Sequence, residues 1–446
     1  MTPSYLQGDL APVPDETDAH DLPVDGVLPA ELTGRYFRNG PNPLPGQDPG
    51  HWFAGHGMLH GVRLRDGRAE WYRNRWTRTT SFTDDPLFLT DSGETDSGER
   101  DLAAVTANTS VIRHSERIFA LVESGLPYEI GPELDTIGSC DFGGRLTTAM
   151  TAHPKEDPRT GELLFFGYGF APPYLTYHRL SAGGELVESR QVEVPGPTMM
   201  HDFAITENHV VWLDLPVLFD MEVAMERRGL PYRWDDAYGA RLGVMGRADG
   251  RVRWFDVDPC YVFHVGNAHE DAAGRVVLDA IRYTPRSFQG LWERISGGTG
   301  GVPGPAAPGD VRLGASLHRW TLDPESGIAK DEHLDDRATE FPTVNPARTG
   351  LPSRYLYTVA HNTIVKYDVE TGASDVRETG GATGEAVFVP SGNARAEDDG
   401  WLMSIVTAGN DSSLRVLDAG TLESVATVRL PRRVPAGFHG SWFADS

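Results

Sequence analysis

Four histidines lie far apart in the chain, each in a short segment that alternates apolar residues or breaks on Pro and Gly. They are His153 in TAHPK, His201 in MMHDF, His264 in VFHVGN and His439 in GFHGSWF. Neutral imidazoles drawn from distant segments suit a divalent transition metal, because the ring nitrogen is a borderline donor matched to iron, copper, nickel or zinc. Three glutamates occupy comparably ordered contexts: Glu123 in ALVESGLPYEI, Glu340 in ATEFPTVN and Glu385 in TGEAVFVP. A ligating His needs its second ring N–H held by an acceptor, and carboxylates commonly serve. Taken singly, each His is more often a hydrogen-bonded structural residue, and each Glu a solvated surface group. The apolar flanks of the glutamates argue instead for burial, where an unpaired charge is costly.

These residues sit within longer motifs that recur in a fixed order: GRYFRNGPNP (Gly34–Pro43), HGMLHGVRL (His56–Leu64) and FHGSW (Phe438–Trp442). With them the chain resembles the carotenoid cleavage oxygenase family, non-haem iron(II) enzymes that split alkene bonds with O₂. The resemblance runs over nearly the whole chain. It implies that His153, His201, His264 and His439 ligate Fe(2+), while Glu123, Glu340 and Glu385 hold three of them from behind. It further implies that Thr109, in ANTSV, shields one open iron site with its methyl group. No side-chain acid, base or nucleophile is then required beyond the iron centre. The implied partners are O₂ and an apolar conjugated alkene, carotenoid or apocarotenoid, cleaved into two carbonyl products. The stilbene-cleaving branch resembles this chain too, but typically carries a Lys before the first outer Glu; here that residue is Val122. A carotenoid-type substrate is therefore favoured over a stilbene or phenylpropenoid one.

Metal ligands need rigid elements to hold them, and the dominant pattern from Leu32 onward is short alternating segments broken by Gly, Asp, Asn and Pro. Four stretches share one plan, strand, turn, strand: Tyr174–Val194, Leu317–Leu334, Thr363–Glu378 and Ser413–Leu430. Recurring hairpins of this kind predict an all-β propeller, in which radial repetition leaves few exposed edges. Their spacing is too uneven to count blades; the family resemblance implies seven, with a dome of loops and short helices over the active-site face. Residues 1–28, polar and acidic, read as an extended N-terminal arm, and 29–446 as one catalytic domain. Asp214–Trp234 reads as a short amphipathic helix, whose part Leu215–Leu230 could touch a bilayer beside a tunnel mouth. The Gly/Pro run Gly297–Asp310 reads as a mobile loop. Phe53, Phe170, Tyr174 and Trp442 are candidate tunnel-lining residues.

Composition limits the alternatives. The net charge of −24 argues against nucleic acid as partner, since phosphate binding needs clustered Lys and Arg. Two cysteines, Cys140 and Cys260, cannot build a disulfide framework and read as buried residues in a reducing compartment. The N-terminus has no basic start or apolar run of signal-peptide length, which predicts a cytoplasmic protein. His56 and His60 have the i, i+4 spacing of a zinc helix, but Gly55, Gly57 and Gly61 speak against a helix, and the pair reads as structural. The acidic runs DDPLF, ETDSGERD and AEDDG read as solvated loops. Two other classes compete: a lactonase-type propeller, which would bind calcium through Asp, Glu and Asn, and a propeller scaffold without catalysis.

Overall fold

The computed structural model describes residues 2–82, 101–225, 230–296 and 314–445. The Gly/Pro run predicted at 297–310 and the acidic run DDPLF lie outside them, as does all but the last residue of ETDSGERD. Seven antiparallel sheets are arranged as the blades of a β-propeller. Named from the axis outward, blade 1 joins the C-terminal Gly440–Ala444 to Gly34–Arg38, Met58–Arg65, Arg68–Trp76 and Thr17–His20. Blade 2 begins at Ser110–His114, blade 3 at Lys155–Glu156, blade 4 at Ala204–Ile205, blade 5 at Tyr261–Glu270 and blade 6 at Glu340–Thr343. In blade 7 the axial edge is shared by Ala382–Thr383 and Val387–Pro390, both paired to Gly400–Ala408. Axial strands of neighbouring blades approach one another, as blade 5 does with blades 4 and 6, and blade 1 with blades 2 and 7. The ring is closed by pairing Gly34–Arg38 with Gly440–Ala444, so the two ends of the chain meet in one sheet.

Blades stack face to face, so both faces of a central strand are buried and its sequence is continuously apolar rather than alternating. Leu163–Tyr168 of blade 3 shows this: Leu163 and Phe165 pack toward Phe119 and Leu121 of blade 2, while Leu164 and Phe166 pack toward Val210 and Trp212 of blade 4. Outer strands meet solvent and carry charge; Ile328–His333 and Ala373–Glu378 have no buried residue. All four hairpins expected from the sequence are present, for example Leu175–Leu180 with Leu186–Val192 and Thr363–Asp368 with Ala373–Glu378.

The N-terminal stretch is laced onto this ring, with Thr17–His20 extending blade 1 and Val24–Gly26 extending blade 7. The expected helix over Asp214–Trp234 is for the most part something else. Val217–Phe219 pairs with Tyr232–Trp234 as a small hairpin, and only Met221–Met225 is helical among the described residues there. Pro216 and Pro231, which lack an N–H, bound the segment, and Asp220 caps the short helix by accepting from the Glu222 and Val223 amides. A longer helix went unread in the sequence: Pro285–Ile295, started by a Thr284/Ser287 capping box with Pro285 at its first position. Both segments are insertions after the second strand of a blade, and Phe288 of the helix packs on Trp234 of the hairpin, 5.6 Å between rings. AEDDG lies on a surface loop, as expected, and its acids also hold local structure. Glu397 accepts from the Arg354 and Tyr355 amides, Asp398 pairs with Lys366, and Asp399 accepts from the Arg395 and Ala396 amides. Cys140 and Cys260 are both buried and unpaired.

Candidate metal centre

Each blade sends one of the seven residues to the axis. His439 enters just before the axial strand of blade 1, and Glu123 follows the second strand of blade 2. His153 and His201 immediately precede the axial strands of blades 3 and 4, while His264 lies within that of blade 5. Glu340 opens the axial strand of blade 6, and Glu385 lies between the two axial segments of blade 7.

The imidazoles meet. Ring centroids of His153 lie 4.5 Å from His201, 5.2 Å from His264 and 4.6 Å from His439, and His264 and His439 are 4.8 Å apart. The ligand nitrogens of His153, His264 and His439 all fall within 4.8 Å of one another, and His201 joins through a 3.0 Å contact between its Nε2 and that of His153. Three of the rings are fixed from behind. Glu123 Oε2 is 2.6 Å from His201 Nδ1, Glu340 Oε2 is 2.5 Å from His264 Nδ1, and Glu385 Oε1 is 3.0 Å from His439 Nδ1. A carboxylate only accepts, so each of these Nδ1 atoms carries a proton, and in the neutral ring each Nε2 presents a bare lone pair to the centre. Buried lone pairs facing one another without a donor are unfavourable, and His264 Nε2 has no partner at all. A cation resolves this. Two nitrogens roughly 2.1 Å from one ion at a right angle would stand about 3.0 Å apart, the separation found between His153 and His201. The donor set therefore fits a transition metal.

Electrostatics favours the neutral ring at His153 and His264 and pulls the other way at His201. Burial, reinforced by the neighbouring imidazoles and Lys155, pushes the His153 pKa well below the ordinary histidine range. Burial also lowers His264, against the pull of Glu340. At His201 burial opposes protonation, but the adjoining Glu123 carboxylate with Asp202 and Glu340 more than offsets it, and the net shift is upward. Glu340 is desolvated, which favours its neutral form. His264, the Phe341 amide at 2.6 Å and the Tyr283 hydroxyl at 2.9 Å more than offset this and lower its pKa.

Local irregularities aim the histidines. The blade 5 ladder shifts register on both sides of Val265, which turns His264 toward the axis and frees the Val265 amide. Asp202 takes up that amide at 2.8 Å, accepts from the Phe203 amide at 2.7 Å and pairs with Lys155 at 2.8 Å. One carboxylate, 1% exposed, thus ties together the segments bearing His153, His201 and His264. The residue after Glu340, Phe341, adopts φ +53° and lays its ring against His264 (5.2 Å) and His439 (5.4 Å). A non-glycine residue in the left-handed region beside a site stores strain that the surroundings must hold. Neither residue was singled out from the sequence, although Asp202 adjoins His201 and Phe341 adjoins Glu340. Thr109 is buried, its carbonyl accepting from the His439 amide at 3.2 Å and its hydroxyl donating to Asn108 Oδ1 at 3.0 Å.

Of the candidate lining residues, Phe53 belongs to an aromatic wall with Phe263 (6.4 Å) and Phe438 (5.2 Å), and Phe263 reaches His201 at 5.2 Å. Phe170 is an exposed residue stacked on Phe219. Tyr174 is half-buried next to Leu175–Leu180, the third strand of blade 3 from the axis. Trp442 packs on the cluster shared by blades 1 and 7, while its neighbour Phe443 faces blade 2. His60 donates to or accepts from Tyr72 at 2.8 Å, in keeping with a structural reading.

A seven-bladed propeller with four convergent histidines, three of them backed by carboxylates, defines a class of metal-dependent oxygenase. The family model described as retinal pigment epithelial membrane protein matches residues 10–444. A carotenoid cleavage oxygenase of Mycobacterium tuberculosis is 41% identical, covering 98% of this chain and 97% of the relative. A carotenoid 9,10(9',10')-cleavage dioxygenase of Arabidopsis thaliana is 35% identical over 99% of this chain and 90% of its own. Among solved structures, the lignostilbene dioxygenase of Pseudomonas brassicacearum superposes with TM-score 0.85 at 30% identity, covering 100% and 99% of the two chains. Cobalt-substituted Synechocystis ACO superposes with TM-score 0.83 at 27% identity, covering 97% of each. The chain belongs to the carotenoid cleavage oxygenase family and is an oxidoreductase of the dioxygenase type.

Proposed function

We propose that this protein is an Fe(2+)-dependent dioxygenase that cleaves one C=C bond of a carotenoid or apocarotenoid. The alkene and one O₂ give two carbonyl products, so atoms balance without a further reductant. The observation that carries the reading is the set of four imidazoles whose Nε2 atoms face one centre, three of them with Nδ1 held by Glu123, Glu340 and Glu385. His153, His201, His264 and His439 would hold the metal. When bound, ferrous iron supplies the one-electron chemistry that lets ground-state O₂ react with a closed-shell alkene.

The rest is done by the chain itself. The carboxylates fix ring tautomers and counter the charge that four neutral ligands leave uncompensated. Thr109, its hydroxyl turned to Asn108, offers its methyl as an apolar cover beside His439. Phe53, Phe263, Phe341 and Phe438 form dry walls that orient an extended alkene and keep water out. The relatives whose names specify carotenoids favour that substrate class, and so does Val122, an apolar residue in the packing between blades 1 and 2. A stilbene or phenylpropenoid alkene is the second reading. It is favoured by the fit to the lignostilbene dioxygenase and by an isoeugenol monooxygenase of Pseudomonas nitroreducens, 31% identical over 98% of this chain and 97% of its own. No helix among the described residues is long and apolar enough to cross a membrane. The exposed Phe170, Met221 and Met225 support contact with a bilayer near the Val217–Trp234 hairpin, through which an apolar substrate would be drawn; the location we propose is cytoplasmic.

The test is metal analysis of the purified protein followed by incubation with apocarotenals and hydroxystilbenes under ¹⁸O₂. About one iron per chain, and one labelled oxygen in each carbonyl product, are expected. His264→Ala removes one ligand and should abolish both iron retention and cleavage. Undiminished turnover in that variant would defeat the proposal.

A further inference from the structure

His51 is 0% exposed and caps the short turn Trp52–Ala54, where its Nδ1 accepts the Phe53 amide at 3.0 Å. That hydrogen bond decides the tautomer. With Nδ1 an acceptor, the neutral ring carries its proton on Nε2, and His51 Nε2 has no hydrogen-bond partner. Burial pushes the pKa down to about 3, so the ring stays neutral and keeps one N–H donor at any working pH. A buried donor without an acceptor costs free energy that a structural capping role does not explain, since capping uses the other nitrogen. The surroundings of this ring are aromatic: Phe53 at 5.0 Å and Trp292 of the Pro285–Ile295 helix at 5.3 Å. Phe53 in turn meets Phe263, which lies against His201, and Phe438, the neighbour of His439. A lone donor set in an apolar wall, two rings away from a ligating histidine, is the arrangement by which pockets fix the register of an otherwise featureless ligand.

We propose that His51 Nε2–H is a specificity-determining donor that takes the oxygen at one end of the alkene substrate, a carbonyl, hydroxyl or phenol, and thereby sets which double bond reaches the metal centre. The inference rests on the alkene-cleaving reading of the site. Trp52, whose Nε1 is likewise buried without a partner and whose ring meets Phe438 at 4.8 Å, places a second donor on the same wall.

Anaerobic binding separates this proposal from the reaction itself. Quenching of tryptophan fluorescence gives Kd for two matched pairs: an apocarotenal against the same polyene without oxygen, and 4-hydroxystilbene against stilbene. The wild-type protein should prefer the oxygenated member of one pair by about tenfold, and that pair identifies the source of the oxygen. His51→Phe should bring the ratio close to one, while His51→Gln, which keeps a donor, should restore most of it. Under O₂ the wild-type protein should cut at one position, and His51→Phe should give a mixture of cleavage sites. Equal affinity within both pairs in the wild-type protein overturns the proposal, whether or not the Phe variant folds. So does an equal loss for both members in His51→Phe, which would mean that the N–H merely rests on the Trp292 face. Selective binding without any cleavage under O₂ would instead sink the dioxygenase reading and leave the oxygen-binding donor standing.

Discussion

Glu340→Gln isolates charge from geometry at the proposed metal centre. The amide oxygen can still accept from His264 Nδ1, now 2.5 Å from Glu340 Oε2, and the amide N–H₂ can face the Tyr283 hydroxyl, now 2.9 Å from Oε1. What disappears is the negative charge behind the ring. A hydrogen bond to a charged acceptor contributes about 1.5–3 kcal/mol net and a neutral one about 0.5–1.5, so the substitution should weaken the hold on His264 by about 1–2 kcal/mol. Because the ring becomes a poorer donor to the metal by the same linkage, affinity should fall roughly 5- to 30-fold. The assay is anaerobic competition between the protein and a chromophoric chelator, with Co²⁺ as a redox-stable probe beside Fe²⁺, and circular dichroism to confirm the fold. Glu270→Gln, remote from the site, serves as the control and should bind metal like the parent. Refutation would be a folded Glu340→Gln protein whose metal affinity stays within twofold of wild type. The carboxylate would then be a packing group, and the argument from tautomers would lose its force.

Glu270 itself should govern acid stability. Burial raises its pKa, but the Thr206 hydroxyl, the Asn208 amides and His209 more than offset this and hold it at about 2, against an ordinary 4.5. Because the folded value lies below the unfolded one, the stabilisation is complete above about pH 4.5 and is lost as pH falls toward 2; at most about 3 kcal/mol is involved. Urea titrations of wild type and Glu270→Gln should differ at pH 7 and converge near pH 2; a constant gap would contradict the assignment. Asp202→Asn should cost about 3 kcal/mol, since it strands Lys155 and sets an amide N–H₂ among donors. It should weaken metal binding as well, which a purely structural residue would not do in the folded fraction. Trp212→Ala, which empties a fully buried site between Phe166, Tyr177 and Phe203, should cost about 3–5 kcal/mol by denaturant titration and leave metal stoichiometry intact.

Much of this molecule was legible in its sequence where physics is local. Hairpins such as Thr363–Glu378 announce themselves through period-two apolar residues and a Gly/Asp turn, and the four histidines stand out because Pro154, Gly266 and Gly440 break the pattern beside them. Nonlocal features were harder. Blade number could not be counted, because blades 1 and 7 take their outer strands from residues 17–26, which in blade 7 pair with residues hundreds of positions away. Asp202 looked like one more acid until the bulge at Val265 left an amide for it to take. Leu218, Val223 and Met225 among polar residues made Asp214–Trp234 read as an amphipathic helix, but Pro216 and Pro231 favour a hairpin with a short helix at its tip. The Thr284–Ser287 capping box is a local signal and could have revealed the helix that carries Trp292.

The allocation of one site residue to each blade bears on why there are three glutamates and not four. A divalent ion held by four neutral rings and three carboxylates leaves the buried assembly near −1, and Asp202 is already paired with Lys155. A fourth carboxylate behind His153 would add another desolvated charge with no cation left to meet it, at a cost of several kcal/mol. His153 is paired with none of the three glutamates, and burial, reinforced by the neighbouring rings and Lys155, holds its pKa well below the ordinary histidine range. That is a position where a bare ring nitrogen serves better than a carboxylate-backed one. The unequal backing also divides the proposed centre: the rings from blades 4, 5 and 1 would be the more basic donors to a metal, and the ring from blade 3 the weaker one. Adding a carboxylate behind His153, by contrast, should raise metal affinity and lower turnover together, a combination that metal titration and product formation on the same preparation would reveal.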